Sequence, residues 1–191
     1  TRGSKVHQAL DYLEENNKFP IDMILEEQHM TVEELEAIMS FASWWHEEKP
    51  QLLAKEMVVF GEGYAGTLDR IYRIGGRVWI VDFKTSQDIW ESMKLQISSY
   101  SNANIDYKAM GITDEEWSMR GLAVLQVGYR RNKVRYKFTE IEDKFSLFMV
   151  ARFIWENENP EAKISEKDFP LIITLNKEKE NVGIKKPSKK E

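Results

Sequence analysis

Residues 66–84 read Gly66-Thr67-Leu68-Asp69-Arg70-Ile71-Tyr72-Arg73-Ile74-Gly75-Gly76-Arg77-Val78-Trp79-Ile80-Val81-Asp82-Phe83-Lys84. Two runs rich in β-branched and aromatic residues, 67–74 and 77–84, flank the pair Gly75-Gly76. Adjacent glycines between two such runs are typical of a two-residue hairpin turn. The stretch therefore predicts an antiparallel β-hairpin.

The register of this hairpin decides which side chains face each other. If Ile74 pairs with Arg77, stepping outward along both strands brings Asp69 opposite Asp82. Facing side chains on neighbouring strands have Cβ atoms about 5 Å apart. Side chains alternate along a strand, so Asp82 and Lys84 share one face while the residue between them points away. A slipped or bulged register would change the facing pair; otherwise two carboxylates and one ammonium converge.

The chemistry of these three groups suggests a metal site. Two carboxylates at this separation repel each other unless a cation lies between them, and oxygen ligands suit Mg²⁺ or Mn²⁺. A divalent ion polarises a phosphodiester oxygen and lowers the pKa of a bound water. Lys84 would stabilise the negative charge that develops on the phosphorane, or position the attacking water. Phosphodiester hydrolysis needs this set of groups.

Four short blocks in this order resemble the PD-(D/E)XK nuclease superfamily, and within it the RecB-like exonuclease group, which includes mitochondrial genome maintenance exonucleases. The blocks are Gly3 to His7 (Gly-Ser/Thr-x-x-His), Gly66 to Asp69 (Gly-x-x-Asp), Asp82 to Thr85 (Asp-x-Lys-Thr) and Gln96 to Tyr100 (Gln-x-x-x-Tyr). Leu68 stands where the superfamily has its namesake proline, a residue that RecB-like members commonly lack. The resemblance covers residues 1–155.

The resemblance implies a role for each matching residue. Asp69 and Asp82 would be metal ligands and Lys84 the catalytic lysine, while the backbone carbonyl of Phe83 and the imidazole of His7 would complete the ligand set. An imidazole nitrogen favours Mn²⁺ over Mg²⁺ relative to an all-oxygen site. The implied fold is α/β, with a restriction-endonuclease-like core of a central mixed β-sheet flanked by helices.

Further candidate residues lie on either side of the hairpin. Glu56 belongs to the preceding apolar run, where the family often has an acidic catalytic residue near the metal or its water. Gln96 and Tyr100 lie four apart and share one helix face, from which they would bind a phosphate or stack on a base. Thr85 and Ser86 would cap that helix or donate to a phosphate.

Several of these residues also have a purely structural interpretation. A helical histidine such as His7 is often packed or simply exposed, and Asp69 beside Arg70 can be one end of a surface ion pair. The adjacent Trp44 and Trp45 either form a stacking platform for unpaired bases or anchor a helix to the core. Gln96 and Tyr100 would be a pair at the core edge if the Asp-Phe-Lys-Thr block were absent.

The rest of the chain predicts one domain with helices on a sheet. We expect a nuclease domain at residues 1–158 and an extension at 159–191 that ends in a mobile, lysine-rich segment. Thr31 and Glu34 form a capping box. Predicted elements are N-terminal helices within 4–48, a motif helix at 89–107, strands at 121–129 and 133–139, and a helix at 145–155 that covers the sheet.

Composition narrows the class of protein. The 191 residues, 42% of them hydrophobic, suffice for one well-cored domain, and a net charge of −5 argues against a protein that coats nucleic acid. The chain has no cysteine, so we expect no disulfide, zinc–thiolate site or iron–sulfur cluster. No run reaches membrane-spanning length and no signal peptide is evident, which predicts a cytoplasmic protein of a bacterial or phage-infected cell.

Together these features predict a monomeric, divalent-metal-dependent DNA exonuclease. Its substrate would be single-stranded DNA or DNA ends, its setting recombination, repair or replication, and a protein of those processes a candidate partner. A structure-specific or restriction-type endonuclease would use the same site, and cleavage of a circular substrate distinguishes the two. The motifs are also compatible with a non-catalytic DNA-binding subunit and with a generic α/β domain in which they arose by chance.

Overall fold

A five-stranded mixed sheet forms the centre of the protein in a computed structural model that describes residues 2–18 and 30–162. The strands lie in sequence order across the sheet. β3 and β4 run parallel, and the other neighbours are antiparallel. The strands are β1 (Gln51–Gly61), β2 (Tyr64–Ile74), β3 (Arg77–Lys84), β4 (Gly121–Val127) and β5 (Tyr136–Ile141). The predicted α/β class with a mixed sheet and flanking helices is confirmed.

Helices lie on both faces of this sheet. They are α1 (Arg2–Asn16), α2 (Val32–Glu48), α3 (Glu91–Ser101), the short α4 (Asp114–Ser118) and α5 (Phe145–Glu158), with a 3-10 turn at Lys108–Met110. The capping box before α2 is confirmed, because the Thr31 hydroxyl accepts from the Glu34 amide and the Glu34 carboxylate accepts from the Thr31 amide at 2.7 Å. Both predicted N-terminal helices are therefore present.

The central hairpin has the predicted turn and register. Gly75 and Gly76 have φ angles of +57° and +82°, and positive values at both central residues are typical of the type I′ turn that suits the strand twist. Ile74 pairs with Arg77, and the same register continues outward to Arg70 and Val81.

Two apolar clusters hold the helices to the sheet. On one face α1 and α2 pack against the sheet, with Trp44 fully buried and stacked on Phe138. On the other face, the cluster around α3 includes Ile97, Ile80 and Val124. Trp44 is thus a core anchor, and the interpretation of the tryptophan pair as a platform for bases is wrong for this residue.

The prediction that the helix at 145–155, now α5, covers the sheet is wrong. None of its residues is buried; it packs on α3, and Phe148 has a T-shaped contact with Tyr64 near the β1–β2 turn, at 5.0 Å between ring centroids. Five of its apolar side chains are exposed: Leu147, Val150, Phe153, Ile154 and Trp155. The apolar spacing predicted the helix, but it did not indicate which element the helix contacts.

Other element boundaries differ from the prediction for local reasons. The motif helix α3 ends at Ser101, and the amide of Asn104 donates instead to the carbonyl of Phe60 at 2.8 Å. Strand β4 ends before Gly128, whose φ is +67°. Strand β5 begins at Tyr136, since the preceding Arg135 has a φ of +63°. Most of the predicted extension at 159–191, including its lysine-rich end, lies outside the described residues.

Within the described ranges 2–18 and 30–162, no helix combines the length and the apolar character that crossing a membrane requires.

Replacing Trp44 by alanine tests the central role of this side chain in the core. We expect Trp44→Ala to lower the free energy of unfolding by about 3–5 kcal/mol, because it leaves a large cavity. Trp90→Ala is the matched control: Trp90 is 61% exposed and makes no side-chain cap hydrogen bond, so the change stays within about 0.5 kcal/mol. Urea denaturation measures both, and equal losses would contradict the assignment.

Candidate metal and phosphodiester site

The candidate site is a cleft at the carboxyl end of β3. The cleft has a volume of about 450 Å³ and lies between α1, β1 and the loop that follows β3. Its lining includes His7, Asp11, Glu56, Phe83, Lys84 and Thr85. Sequence reasoning named five of these six residues as candidates, and the fold brings them together from three separate parts of the chain.

His7 and Asp69 meet at the backbone of Phe83. The His7 Nε2–H donates to the Phe83 carbonyl at 3.2 Å, and the His7 Nδ1 lies 3.8 Å from Oδ2 of Asp69. The same Asp69 oxygen accepts the Phe83 amide at 2.8 Å. The predicted ligands His7, Asp69 and the Phe83 carbonyl are therefore neighbours in one small region.

Glu56 lies beside this group on β1. The strand register pairs Lys55 with Arg70 and Met57 with Leu68, so Glu56 and Asp69 occupy the facing positions between these pairs. The φ of Glu56 is +44°, a left-handed conformation that is unfavourable for a residue with a side chain and that is common at functional sites. This backbone distortion coincides with the residue that resemblance placed near the metal.

Three donor side chains can hold a metal ion here. One ligand atom each from His7, Glu56 and Asp69 lie within 4.8 Å of one another. Ligands with bonds of about 2.1 Å to one octahedral ion lie about 3–4 Å apart, so small side-chain rotations suffice. The donor set of nitrogen and carboxylate oxygen fits a divalent ion.

Asp82 is placed differently from the other predicted ligands. It is buried, and its Oδ2 contacts the ammonium of Lys84 on the same strand face. Burial, which disfavours the charged form, and the nearby Asp69 raise the pKa of Asp82 to about 6, although Lys84 and His7 act in the opposite direction. Asp82 thus pairs with Lys84 next to the donor cluster of His7, Glu56 and Asp69.

The regular hairpin pairing stops one step before the two aspartates. Its last pair is Arg70 with Val81, and Leu68 and Ile71 lie in the same apolar cluster although they are three residues apart. Strict alternation would put them on opposite faces, so β2 is irregular between them. At this irregular position the Asp69 carboxylate accepts a hydrogen bond from the Phe83 amide.

Arg70 forms a buried ion cluster below the cleft that sequence reasoning missed. Its guanidinium is fully buried and contacts Asp11, Glu14 at 2.7 Å and Glu56 at 3.2 Å. Burial alone would lower the pKa of Arg70, but the Glu14 carboxylate raises it above the ordinary value. The suggested surface ion pair between the Asp69 and Arg70 side chains is wrong. The spacing of Asp11 and Glu14 at four and seven residues after His7 is the signal that could have revealed a shared helix face.

Gln96 and Tyr100 lie on α3, on the side of the carboxylates of Asp82 and Asp69. The Gln96 amide donates to the Tyr100 hydroxyl at 2.8 Å. Burial and the nearby Asp82 and Asp69 raise the pKa of Tyr100. A Cβ on Gly66 would lie 2.4 Å from the Tyr100 ring, so the glycine allows the ring to approach β2. Both side chains also line a groove of about 590 Å³ beside α5.

Thr85 and Ser86 lie in the loop after β3. Thr85 lines the cleft, while the Ser86 hydroxyl donates to the Asp88 carbonyl at 2.8 Å. The N-cap residue of α3 is Trp90, so the predicted capping role of Thr85 and Ser86 is wrong. Their predicted role in binding phosphate stays a prediction.

Comparisons with known proteins add no family assignment. No protein-family model matches the chain, and no curated protein matches it. The resemblance to the PD-(D/E)XK superfamily therefore rests on the four sequence blocks.

Replacing Arg70 tests the ion cluster. We expect Arg70→Met to lower the free energy of unfolding by about 3–5 kcal/mol, since it leaves the buried Glu14 carboxylate without its cation. Arg130→Met is the matched control, because Arg130 is half exposed and lies 3.3 Å from the half-exposed Glu33; it changes stability by less than about 0.5 kcal/mol. Chemical denaturation measures both. The double variant Arg70→Met/Glu14→Gln recovers part of the loss, and a double variant less stable than Arg70→Met would contradict this account.

Proposed function

We propose that the protein is a divalent-metal-dependent DNA nuclease, with a restriction-endonuclease-like core, that hydrolyses phosphodiester bonds in single-stranded DNA or at DNA ends. The observation that carries the proposal is the cluster of His7, Glu56 and Asp69 donors beside the Asp82–Lys84 pair. An exposed acidic cluster alone would be a weak indication. A metal-type donor set next to a lysine, in a cleft open to solvent, matches what phosphodiester hydrolysis requires.

The residues of the cleft divide into two functional groups. His7, Asp69, Glu56 and the Phe83 carbonyl would hold Mg²⁺ or Mn²⁺, and the resemblance adds Asp82 to this ligand set. When bound, the ion supplies polarisation of a phosphate oxygen and a lowered pKa for an attacking water. The imidazole favours Mn²⁺ relative to an all-oxygen site.

The proposed role of Lys84 in stabilising the transition state depends on where its ammonium lies. Its ammonium lies at the edge of the cleft and contacts the buried Asp82 carboxylate. Asp82 thereby fixes the long lysine side chain before substrate arrives. The ammonium then faces the scissile phosphate, where it stabilises the added negative charge of the transition state. The Asp82–Lys84 pair preorganises the cationic side of the site.

Gln96 and Tyr100 supply polar groups at the border of the site. Gln96 donates to Tyr100 and so orients its hydroxyl, and both side chains extend toward the groove beside α5. We assign them to binding the phosphate or base that neighbours the scissile bond. Thr85 lines the cleft and Ser86 follows it along the loop, so both are assigned to phosphate contacts.

The resemblance to end-processing enzymes favours an exonuclease acting in recombination, repair or replication, in the cytoplasm of a bacterial or phage-infected cell. A restriction-type endonuclease on the same site is the nearest alternative. A non-catalytic DNA-binding subunit is disfavoured because Asp69, Asp82 and Lys84 are all present. A protein of those processes is the candidate partner, and we propose that the chain acts as a monomer.

Cleavage of labelled linear single-stranded DNA in Mn²⁺ or Mg²⁺ tests the proposed activity. We expect metal-dependent degradation by the unmodified protein and a rate about 100- to 1,000-fold lower for Lys84→Ala, the typical cost of removing one transition-state donor. Lys108→Ala is the matched control, since Lys108 pairs with Asp114 at an exposed site on the 3-10 turn. It retains the full rate.

A closed circular single strand in the same assay distinguishes exonuclease from endonuclease. An exonuclease leaves the circle intact, whereas cutting of the circle assigns the activity to an endonuclease. Failure of the unmodified protein to cleave either strand would overturn the enzymatic proposal in favour of a binding subunit.

Metal binding can be measured without substrate. We expect His7→Ala and Asp69→Asn each to weaken Mn²⁺ binding by at least about tenfold, because each removes a donor from the cluster. Isothermal titration calorimetry with MnCl₂ gives the affinities. His46→Ala, at the end of α2, is the matched histidine control and leaves the affinity unchanged. Equal affinities for His7→Ala and the unmodified protein would contradict the assigned ligand set.

A further inference from the structure

A second cavity, with four cationic side chains in its lining, lies beside the cleft. It has a volume of about 410 Å³ and is bounded by the loop after β3, by α3 and by strands β4 and β5. Its cationic lining residues are Lys94, Arg131, Lys137 and Lys144. We call this cavity the basic pocket. The proposed nuclease mechanism uses none of the four cations, and their concentration contrasts with the chain's net charge of −5.

Three of the four cations already have carboxylate partners. Arg131 donates to both carboxylate oxygens of one aspartate in the loop, at 2.6 and 3.0 Å. Lys94 and Lys144 share the carboxylate of Glu91. In the part of the chain that the structure describes, Lys137 has no carboxylate within 4.0 Å, so its charge is available to an incoming anion.

The acidic residues of the lining do not pair with the Lys137 ammonium in the part of the chain that the structure describes. They are Asp88, Glu140 and Glu142. Asp88 is bound to Arg131, and Glu140 pairs at 3.0 Å with Arg77, which lies outside the lining. Two of the three carboxylates are therefore already paired with arginines. Within the described residues, the third, Glu142, does not come within 4.0 Å of the Lys137 ammonium.

The Lys137 ammonium lies over an aromatic ring. It lies 5.5 Å from the ring centroid of Tyr129, and Tyr129 is itself buried at the end of β4. A cation–π contact orients the ammonium without cancelling its charge. The basic pocket therefore contains an exposed positive charge that has no carboxylate partner among residues 2–18 and 30–162, which suits a phosphate-binding position.

The basic pocket and the cleft share one loop. Phe83, Lys84 and Thr85 line the cleft, and residues 87–89 line the pocket. Gln126 pairs with Lys84 across the parallel strands β3 and β4, lines the pocket and donates to the backbone carbonyl of residue 86 at 2.9 Å. Neighbouring strands are about 4.8 Å apart. A strand of nucleic acid leaving the cleft along this loop would enter the pocket within about one nucleotide.

We propose that the basic pocket binds the phosphodiester backbone of a single DNA strand, with Lys137 as the main contact, next to the phosphate that is cleaved at the metal cleft. The inference rests on the proposed nuclease function and extends it by naming a binding position for the strand beyond the cleft. A cavity of about 410 Å³ is the size of a small-molecule pocket.

Binding of a fluorescein-labelled single-stranded oligonucleotide, followed by anisotropy in Ca²⁺ to prevent turnover, tests the basic pocket. We expect Lys137→Gln to weaken binding about three- to tenfold and to reduce the slope of log K against log salt by about 0.7, the value for one lost phosphate contact. Lys137→Arg keeps the charge and restores the affinity. Lys108→Gln, remote from the loop, leaves the affinity and the slope unchanged.

Three results would overturn the pocket assignment. These are equal affinity and salt slope for Lys137→Gln and the unmodified protein, no binding of the oligonucleotide at low salt, and complete competition by millimolar inorganic phosphate, which would make the pocket a site for the free anion. Cleavage of linear DNA by the unmodified protein is scored separately. Cleavage without any effect of Lys137→Gln on binding rejects the pocket alone. A loss of binding with Lys137→Gln but no cleavage supports the pocket and rejects the nuclease.

Discussion

The candidate site depends on the ion pairs that the buried guanidinium of Arg70 makes with three carboxylates. Arg70 lies on β2 and is paired with Asp11 and Glu14 of α1 and with Glu56 of β1. A buried charge cannot lose its partners without a large cost, so α1 is fixed to the sheet at one place. His7 lies one helical turn before Asp11 on the same helix. The cluster therefore positions His7 over the carbonyl at the end of β3 and holds Glu56 in its left-handed backbone conformation.

The parts of the structure that follow from local rules could be predicted from the sequence. The glycine pair and the alternating strands indicated the hairpin and its register as far as Arg70 and Val81, and the period of two put Asp82 and Lys84 on one face. The capping box indicated the start of α2. These features depend on neighbours within a few residues, where turn chemistry and side-chain alternation are reliable guides.

The parts that depend on distant contacts could not be predicted. The Arg70 partners on α1 are 56 and 59 residues away, and nothing in the local pattern distinguishes a buried arginine from an exposed one. The apolar spacing of α5 predicted a helix, but its packing on α3 depends on the tertiary arrangement. Asp82 was expected among the metal ligands, on one strand face with Lys84; its burial and its raised pKa emerge only when the sheet is assembled.

The distribution of charge is compatible with the nucleic-acid substrate that we propose for this acidic chain. Most of the carboxylates around the cleft are used: Glu14 and Asp11 balance Arg70, Asp82 holds Lys84, and Glu56 and Asp69 face His7. Electrostatic attraction to phosphate does not require a basic protein, since fields act over about 10 Å at moderate ionic strength. Lys84 lies opposite Gln126, and Gln126 lies opposite Lys137, so the two lysines are about two strand spacings apart, on the order of 10 Å. On the proposed function, the acidic remainder would repel DNA elsewhere and so confine binding to a strand on this path.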